Sequence, residues 1–238
     1  MSRSSVILNR PRPGATFVVV RRGDTRSTMN TTILIIVRHG ETFWNREHRI
    51  QGHLDSVLTP KGIAQAGACA KRLAAEPIDA VVASDLGRVR HTAEILINGR
   101  TLPMAFDASL RERCFGIGEG LTYAEMDGKY PQMFAQAGLV DSEFTLPDGE
   151  SRAVFHARVQ ASINRLAIAY AGKCVLVVSH GGVLGVIYRW LNNMPIASSQ
   201  RVAIPNVAYN RISIQPCGWK IEVWADTSHL GEDTFEEV

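Results

Sequence analysis

The stretch Ile33-Leu34-Ile35-Ile36-Val37-Arg38-His39-Gly40-Glu41-Thr42 decides the fold. Its first five residues are all apolar and four of them are β-branched. Such a run predicts a strand buried on both faces, the kind found in parallel sheets. Outward from it, Thr59-Pro60 predicts a helix start, since Thr is a good N-cap and Pro suits the first helical position. Ile63, Ala66, Ala70, Leu73 and Ala74 recur at helical spacing, and Pro77 closes the helix. A second buried strand is expected over 80–83, a helix over 89–97 ended by Asn98-Gly99, and a third strand over 104–106. Residues 110–150 read as loop-rich, helical in part over 123–137, with a turn at Pro147-Asp148-Gly149. A long amphipathic helix over 151–170 should bury Val154, Phe155, Val159, Ile163, Leu166 and Ala167. Residues 174–178 form another buried strand and 182–191 a helix. Alternating patterns over 207–214 and 219–224 predict a hairpin around residues 216–218. Strands alternating with helices mean an α/β domain with a mostly parallel sheet.

The chain has 238 residues, 45% of them apolar and 21% charged. That composition excludes global disorder and fibrous architectures, and the length suits one domain with a full core. The net charge of +3 is unevenly spread. Residues 1–28 hold six arginines and one acid, a balance of +5, so the remaining 210 residues stand at −2. We expect residues 1–31 to be a basic N-terminal extension that orders poorly, and 32–238 to be a single domain. A mildly acidic body carries no electrostatic footprint for nucleic acid. No apolar run approaches bilayer length, and the run over 15–20 is too short for a signal-peptide core. The membrane is therefore not an expected partner. Cys69, Cys114, Cys174 and Cys217 are scattered singly, which points to a reducing, cytoplasmic setting without disulfides or a zinc site.

In open α/β sheets, chemistry sits beyond the carboxyl ends of the strands. The first strand exits into Arg38-His39-Gly40, the second into Ser84-Asp85-Leu86-Gly87-Arg88, the late one into Ser179-His180-Gly181-Gly182. Two histidines and two arginines thus reach one edge from distant segments. Guanidiniums grip phosphoryl oxygens in a bidentate manner. A helix starting near Gly182 would aim its N–H groups at an anion. A neutral imidazole is a competent nucleophile. Together these residues predict a phosphate site. His91, three residues after Arg88, should lie on the same helical face as a neighbouring contact.

Several ordered segments resemble the histidine phosphatase superfamily, the phosphoglycerate mutase-like fold. Arg38-His39-Gly40-Glu41-Thr42 with Asn45 is similar to its RHG motif. Gln51-Gly52, Leu58-Thr59-Pro60-Lys61-Gly62, Ser84-Asp85-Leu86-Gly87-Arg88, Leu110-Arg111-Glu112, Pro147-Asp148-Gly149-Glu150-Ser151 and Ser179-His180-Gly181-Gly182 follow in the family's order. The resemblance implies a three-layer α/β/α sandwich. It implies His39 as phosphoryl acceptor, with Arg38, Arg88 and His180 around the transferred group and Glu112 as general acid and then base. Asn45, Gln51, Gly52 and Gly181 would bind substrate. No metal and no other cofactor is implied. The partner would be a small-molecule phosphate ester, and a homodimer stays open.

The family contains phosphatases and mutases. In the mutases a histidine follows the acid where Cys114 stands here, and the last motif reads SHGN where this chain has Gly182. Their substrate insertion carries an Arg-Arg pair, whereas residues 121–178 hold only the isolated Arg152, Arg158 and Arg165. A second charged ligand group needs paired cations. The expectation is hydrolysis of a small phosphorylated metabolite through a phosphohistidine. The alternative is a phosphoglycerate mutase moving a phosphoryl group between hydroxyls of a sugar acid. Tyr123, Met126, Tyr130, Met133 and Phe134 are expected along the pocket wall or its lid.

Overall fold

The computed structural model describes residues 31–133, 142–196, 200–215 and 218–231. Residues 1–30, which carry nearly all of the expected basic extension, lie outside the described residues, as do Phe134 and Cys217. The chain runs β1 (Thr32–Arg38), α1 (Phe43–Arg46), α2 (Pro60–Leu73), β2 (Ala80–Ala83), α3 (Gly87–Ile97), β3 (Met104–Phe106) and α4 (Tyr123–Lys129). It continues through α5 (Arg152–Ala169), β4 (Cys174–Ser179), α6 (Gly181–Leu191), β5 (Tyr209–Gln215) and β6 (Gly218–Asp226).

The strands form one sheet in the order β3-β2-β4-β1-β5-β6. The first four run parallel and β5 and β6 are antiparallel to their neighbours. Two-sided burial of β1 follows from its alternation. Ile35 and Val37 face α2 and α3, meeting Ala66, Cys69, Leu73, Val89, Ala93 and Leu96. Leu34 and Ile36 face α5 and α6, meeting Val159, Ile163, Val183 and Leu184. The result is the expected α/β/α sandwich. Among the described residues no helix is long and apolar enough to cross a membrane.

Local signals account for most boundaries. Thr59 caps α2, accepting from the Gly62 amide at 2.9 Å, with Pro60 at the first helical position. Asn98 ends α3 in the left-handed region, with φ of 46°. Ser151 caps α5 by accepting from the Val154 amide.

Three apolar positions of the expected helical stripes are exposed, Ala74 just past the end of α2 among them. Ile63 is 42% exposed and Val154 58% exposed. The α2 stripe is turned so that Gly62, Gln65 and Ala66 face inward, because Gly62 presses on the backbone of Gly40 and Glu41 and a side chain there would collide with it. On α5 the inward positions go to Phe155 and His156, leaving Val154 on the wall of a surface cavity. His91 is exposed, not beside the Arg88 side chain, and the inward residue one turn on from Arg88 is Thr92.

His156 carries a measurable consequence. Burial above all, then the charges of Arg189 and Arg152, pulls its pKa down to about 4. An unfolded histidine titrates near 6.5, about as in model peptides. Between these values the unfolded chain binds more protons, so this contribution is complete above about pH 6.5 and is lost as the pH falls toward about 4. His156→Gln should therefore flatten the decline of unfolding free energy in that window by up to about 1.4 kcal/mol per pH unit. Urea denaturation at a series of pH values measures it, and an unchanged slope would rule this origin out.

Candidate active site

Three adjacent parallel strands end together and create the site. Arg38 pairs in register with Ser179, and the His39 amide donates to the Ser179 carbonyl at 3.0 Å. The Ser84 amide donates to the Val178 carbonyl at 3.0 Å, bringing the end of β2 to the same edge. β1 leads to α2 on one face of the sheet and β4 to α6 on the other. The crevice between them is the position where doubly wound sheets place ligands. His39 and His180 meet here edge to face, with ring centroids 5.4 Å apart.

A cavity of about 500 Å³ opens at this edge. Eight of the nine residues singled out from the sequence line it: Arg38, His39, Asn45, Gln51, Gly52, Arg88, Glu112 and Gly181. The ninth, His180, is fully buried directly behind Arg88.

The hydrogen bonds assign the two imidazoles. His39 Nδ1 lies 2.8 Å from the Gly40 carbonyl, which can only accept, so Nδ1 carries the proton and Nε2 keeps a free lone pair. His180 Nδ1 accepts from Arg88 Nη2 at 3.1 Å, and its Nε2–H donates to Ser84 Oγ at 2.8 Å. Burial, then the charges of Arg88 and Arg38, holds His39 well below the usual histidine range. Burial and Arg88 do the same to His180. Both rings are therefore neutral near pH 7.

Arg88 is 2% exposed and held from several directions. Nη1 donates to the Leu54 carbonyl at 2.8 Å and to Asp55 at 3.0 Å, and Nη2 also donates to the Gly52 carbonyl at 2.8 Å. Its Nε is buried without a partner, as is Nε of Arg38. Arg38 Nη1 donates to the Ile204 carbonyl at 2.8 Å. Gln51 Oε1 is likewise unpartnered. Arg38 and Arg88 both line the cavity, and two guanidiniums at one cavity fit an anion there. The Asn45 carbonyl oxygen is engaged by the Thr42 amide at 3.1 Å, which leaves the amide NH₂ for the cavity.

Glu112 differs from expectation in one respect. Its carboxylate accepts from the Arg113 amide and from the Gly182 amide, both at 2.8 Å. The start of α6 therefore faces Glu112 at Gly182. Gly182, without a Cβ, leaves the room that the carboxylate occupies. The neighbouring arginines do not take Glu112 as an ion pair. Arg111 Nε bonds Asp85 at 2.7 Å, and Arg113 Nε bonds the Glu150 carbonyl at 2.7 Å.

Sequence reasoning missed Trp44, His48, Arg49, Ile50 and Phe115 as lining residues. Of the expected wall residues that are described, only Tyr123 reaches the cavity. Met126 is 2% exposed and packs with Ile50 and Leu146, against which Tyr130 and Met133 also lie. Thr92 was also missed. Its hydroxyl accepts from the Gly40 amide at 3.1 Å and donates to the Arg88 carbonyl at 2.7 Å, joining the two loops. Glu119 organises the next loop by accepting from the amides of His53, Leu54 and Phe115, each at 2.9 Å. Gly52, at φ +53°, leaves the room this carboxylate occupies. An acid next to a glycine, Glu119-Gly120, was the available signal.

Residues 34–227 match the model of the histidine phosphatase superfamily, branch 1. A protein of Yersinia pestis (strain Pestoides F) named probable phosphoglycerate mutase GpmB is 34% identical over 208 residues, covering 85% of this chain and 97% of its own. Among solved structures, YhfR of Bacillus stearothermophilus superposes with a TM-score of 0.79 at 31% identity, over 84% of this chain and all of that one. The alpha-ribazole phosphatase of Shigella flexneri superposes with a TM-score of 0.75 at 29% identity, over 82% of this chain and 96% of its own.

Charge-assisted hydrogen bonds contribute about 1.5–3 kcal/mol each. Arg38→Ala should therefore weaken orthophosphate binding roughly 10- to 100-fold by isothermal titration calorimetry. Binding unchanged by that substitution would remove the anion from this cavity.

Proposed function

Because the chain belongs to the histidine phosphatase superfamily, branch 1, we propose that it hydrolyses a small phosphomonoester through a phosphohistidine at His39. The observation that carries this reading is the neutral His39, its Nε2 free of a proton, in one cavity with the guanidiniums of Arg38 and Arg88.

The reaction has two steps. His39 Nε2 attacks phosphorus, the N–P bond forms and the ester P–O bond breaks. Glu112 gives a proton to the leaving oxygen, which departs as an alcohol. The resulting carboxylate then takes a proton from water as that water attacks phosphorus. The N–P bond breaks, phosphate leaves and His39 is free again. Each Glu112 oxygen accepts one backbone amide and keeps a second lone-pair site for this proton traffic. Arg38 and Arg88 hold the charge spread over the equatorial oxygens, with Asn45 and Gln51 as further ligands. Arginine and amide donors supply what a metal supplies in other phosphoryl transfer enzymes, so we propose that turnover needs no metal ion. Among the described residues no group of three metal-ligating side chains is gathered.

The outer wall favours hydrolysis over transfer within a phosphorylated sugar acid. A mutase substrate carries a second anionic group that needs its own cations. Among the described residues the guanidinium on the outer wall is Arg49, shared between Glu47 at 2.9 Å and Glu125 at 2.6 Å. Arg111 is paired with Asp85, Arg158 with Glu150 and Arg165 with Asp107. The rest of the wall is Trp44, Ile50, Phe115 and Tyr123, with His48 and Arg49 between them. Such a wall suits an uncharged leaving group with an apolar or planar face.

His39→Ala should abolish p-nitrophenyl phosphate hydrolysis, and EDTA should leave the native enzyme's rate unchanged. Labelled phosphate should be trapped on the native protein in an acid-labile, alkali-stable bond. With 3-phosphoglycerate, release of phosphate should outrun formation of 2-phosphoglycerate, and the reverse order would select the mutase reading.

A further inference from the structure

We propose that Arg158 is a positioning residue that holds Glu112 at the leaving oxygen, an inference that rests on the reading of Glu112 as general acid. Arg158 sits on α5, one turn past Phe155, over whose ring the guanidinium lies at 5.0 Å. The buried face of α5 is part of the core, so the guanidinium is mounted on a rigid element.

All five of its N–H donors are engaged, three of them by carbonyls of the segment that carries Glu112. Nη1 donates to the carbonyls of Ser109 at 2.9 Å and Arg111 at 3.0 Å. Nη2 donates to the carbonyl of Glu112 at 3.2 Å. Nε and Nη2 grip the two oxygens of Glu150 at 2.9 and 2.7 Å. His53 Nε2 adds a second donor to the Glu112 carbonyl at 3.0 Å. The segment that carries Glu112 has no strand or helix of its own to fix it at that residue. This fork holds its backbone on one side, and the Gly182 amide holds the Glu112 carboxylate on the other. An ammonium could keep the pairing with Glu150, but it has no planar fork to hold three carbonyls at once.

The assignment predicts a selective defect. An alkyl ester needs its leaving oxygen protonated, whereas dinitrophenolate departs without a proton. The comparison is kcat/KM for β-glycerophosphate against 2,4-dinitrophenyl phosphate, since kcat/KM reports the step in which the ester bond breaks. Misplacing a reacting group by an ångström costs on the order of 10²-fold. Arg158→Lys and Arg158→Met should lose about that much on the alkyl ester and only several-fold on the dinitrophenyl ester. Glu112→Gln is the benchmark and should lose about 10²–10⁴-fold on the alkyl ester alone. If Arg158→Met does not fold, Arg158→Lys, which keeps the charge and the stem, decides. Equal losses on both esters in the folded Arg158 variant, with Glu112→Gln selective, overturn the proposal. A Glu112→Gln enzyme that loses both esters equally overturns the acid reading, and the role of Arg158 with it.

Discussion

Burying the guanidinium of Arg88 is the constraint on which the rest of the site depends. A cation that is 2% exposed must be met by acceptors on every side. Here those acceptors come from the Gly52–Asp55 loop, from Asp55 itself and from His180 at the end of β4. Each of these groups is thereby fixed relative to the first turn of α3. Only Nε is left without a partner, and the residue lines the cavity together with Arg38. The network that makes burial tolerable therefore also fixes the guanidinium at the cavity.

The same low-dielectric, cationic surroundings set the state of both histidines. Desolvation is the larger effect and the two arginines add to it, so neither imidazole is protonated near neutral pH. A protonated imidazole could not attack phosphorus, because its lone pairs are taken. The Gly40 carbonyl then chooses between the two neutral tautomers of His39, and Ser84 with Arg88 chooses for His180. Positive charge at the site resides on arginine, the side chain that keeps it when buried.

Around this core three kinds of contact hold the site. The sheet ends are held by ladder hydrogen bonds, and the Glu112 segment by side-chain donors from α5. The outer wall belongs to a small separate cluster in which Ile50, Met126 and Leu146 pack over the loops. Arg49 ties that wall together through Glu125 at the start of α4 and the Gly120 carbonyl. Its charge is shared with Glu47 and Glu125.

The linear sequence determined the sheet and its edge. Apolar runs over Ile33–Val37, 80–83 and 174–178 can only be buried between layers of helices, and the polar residues that follow each run must then emerge at one rim. Thr59-Pro60, Asn98 and Ser151 marked helix ends because their side chains or dihedrals act within a few residues. Local chemistry is visible locally. The same reasoning failed at Ile63 and Val154, where the face a helix buries depends on what presses against it, Gly62 on Glu41 in one case. It also turned the Gly182 amide toward an anion, whereas tertiary packing places Glu112 there. The tautomers of His39 and His180, the orphaned Nε donors, the Thr92 link and the Arg158 fork were decided only by the tertiary structure. Each depends on groups tens of residues apart meeting within about 3 Å, the reach of a hydrogen bond, and no spacing along the chain encodes that distance.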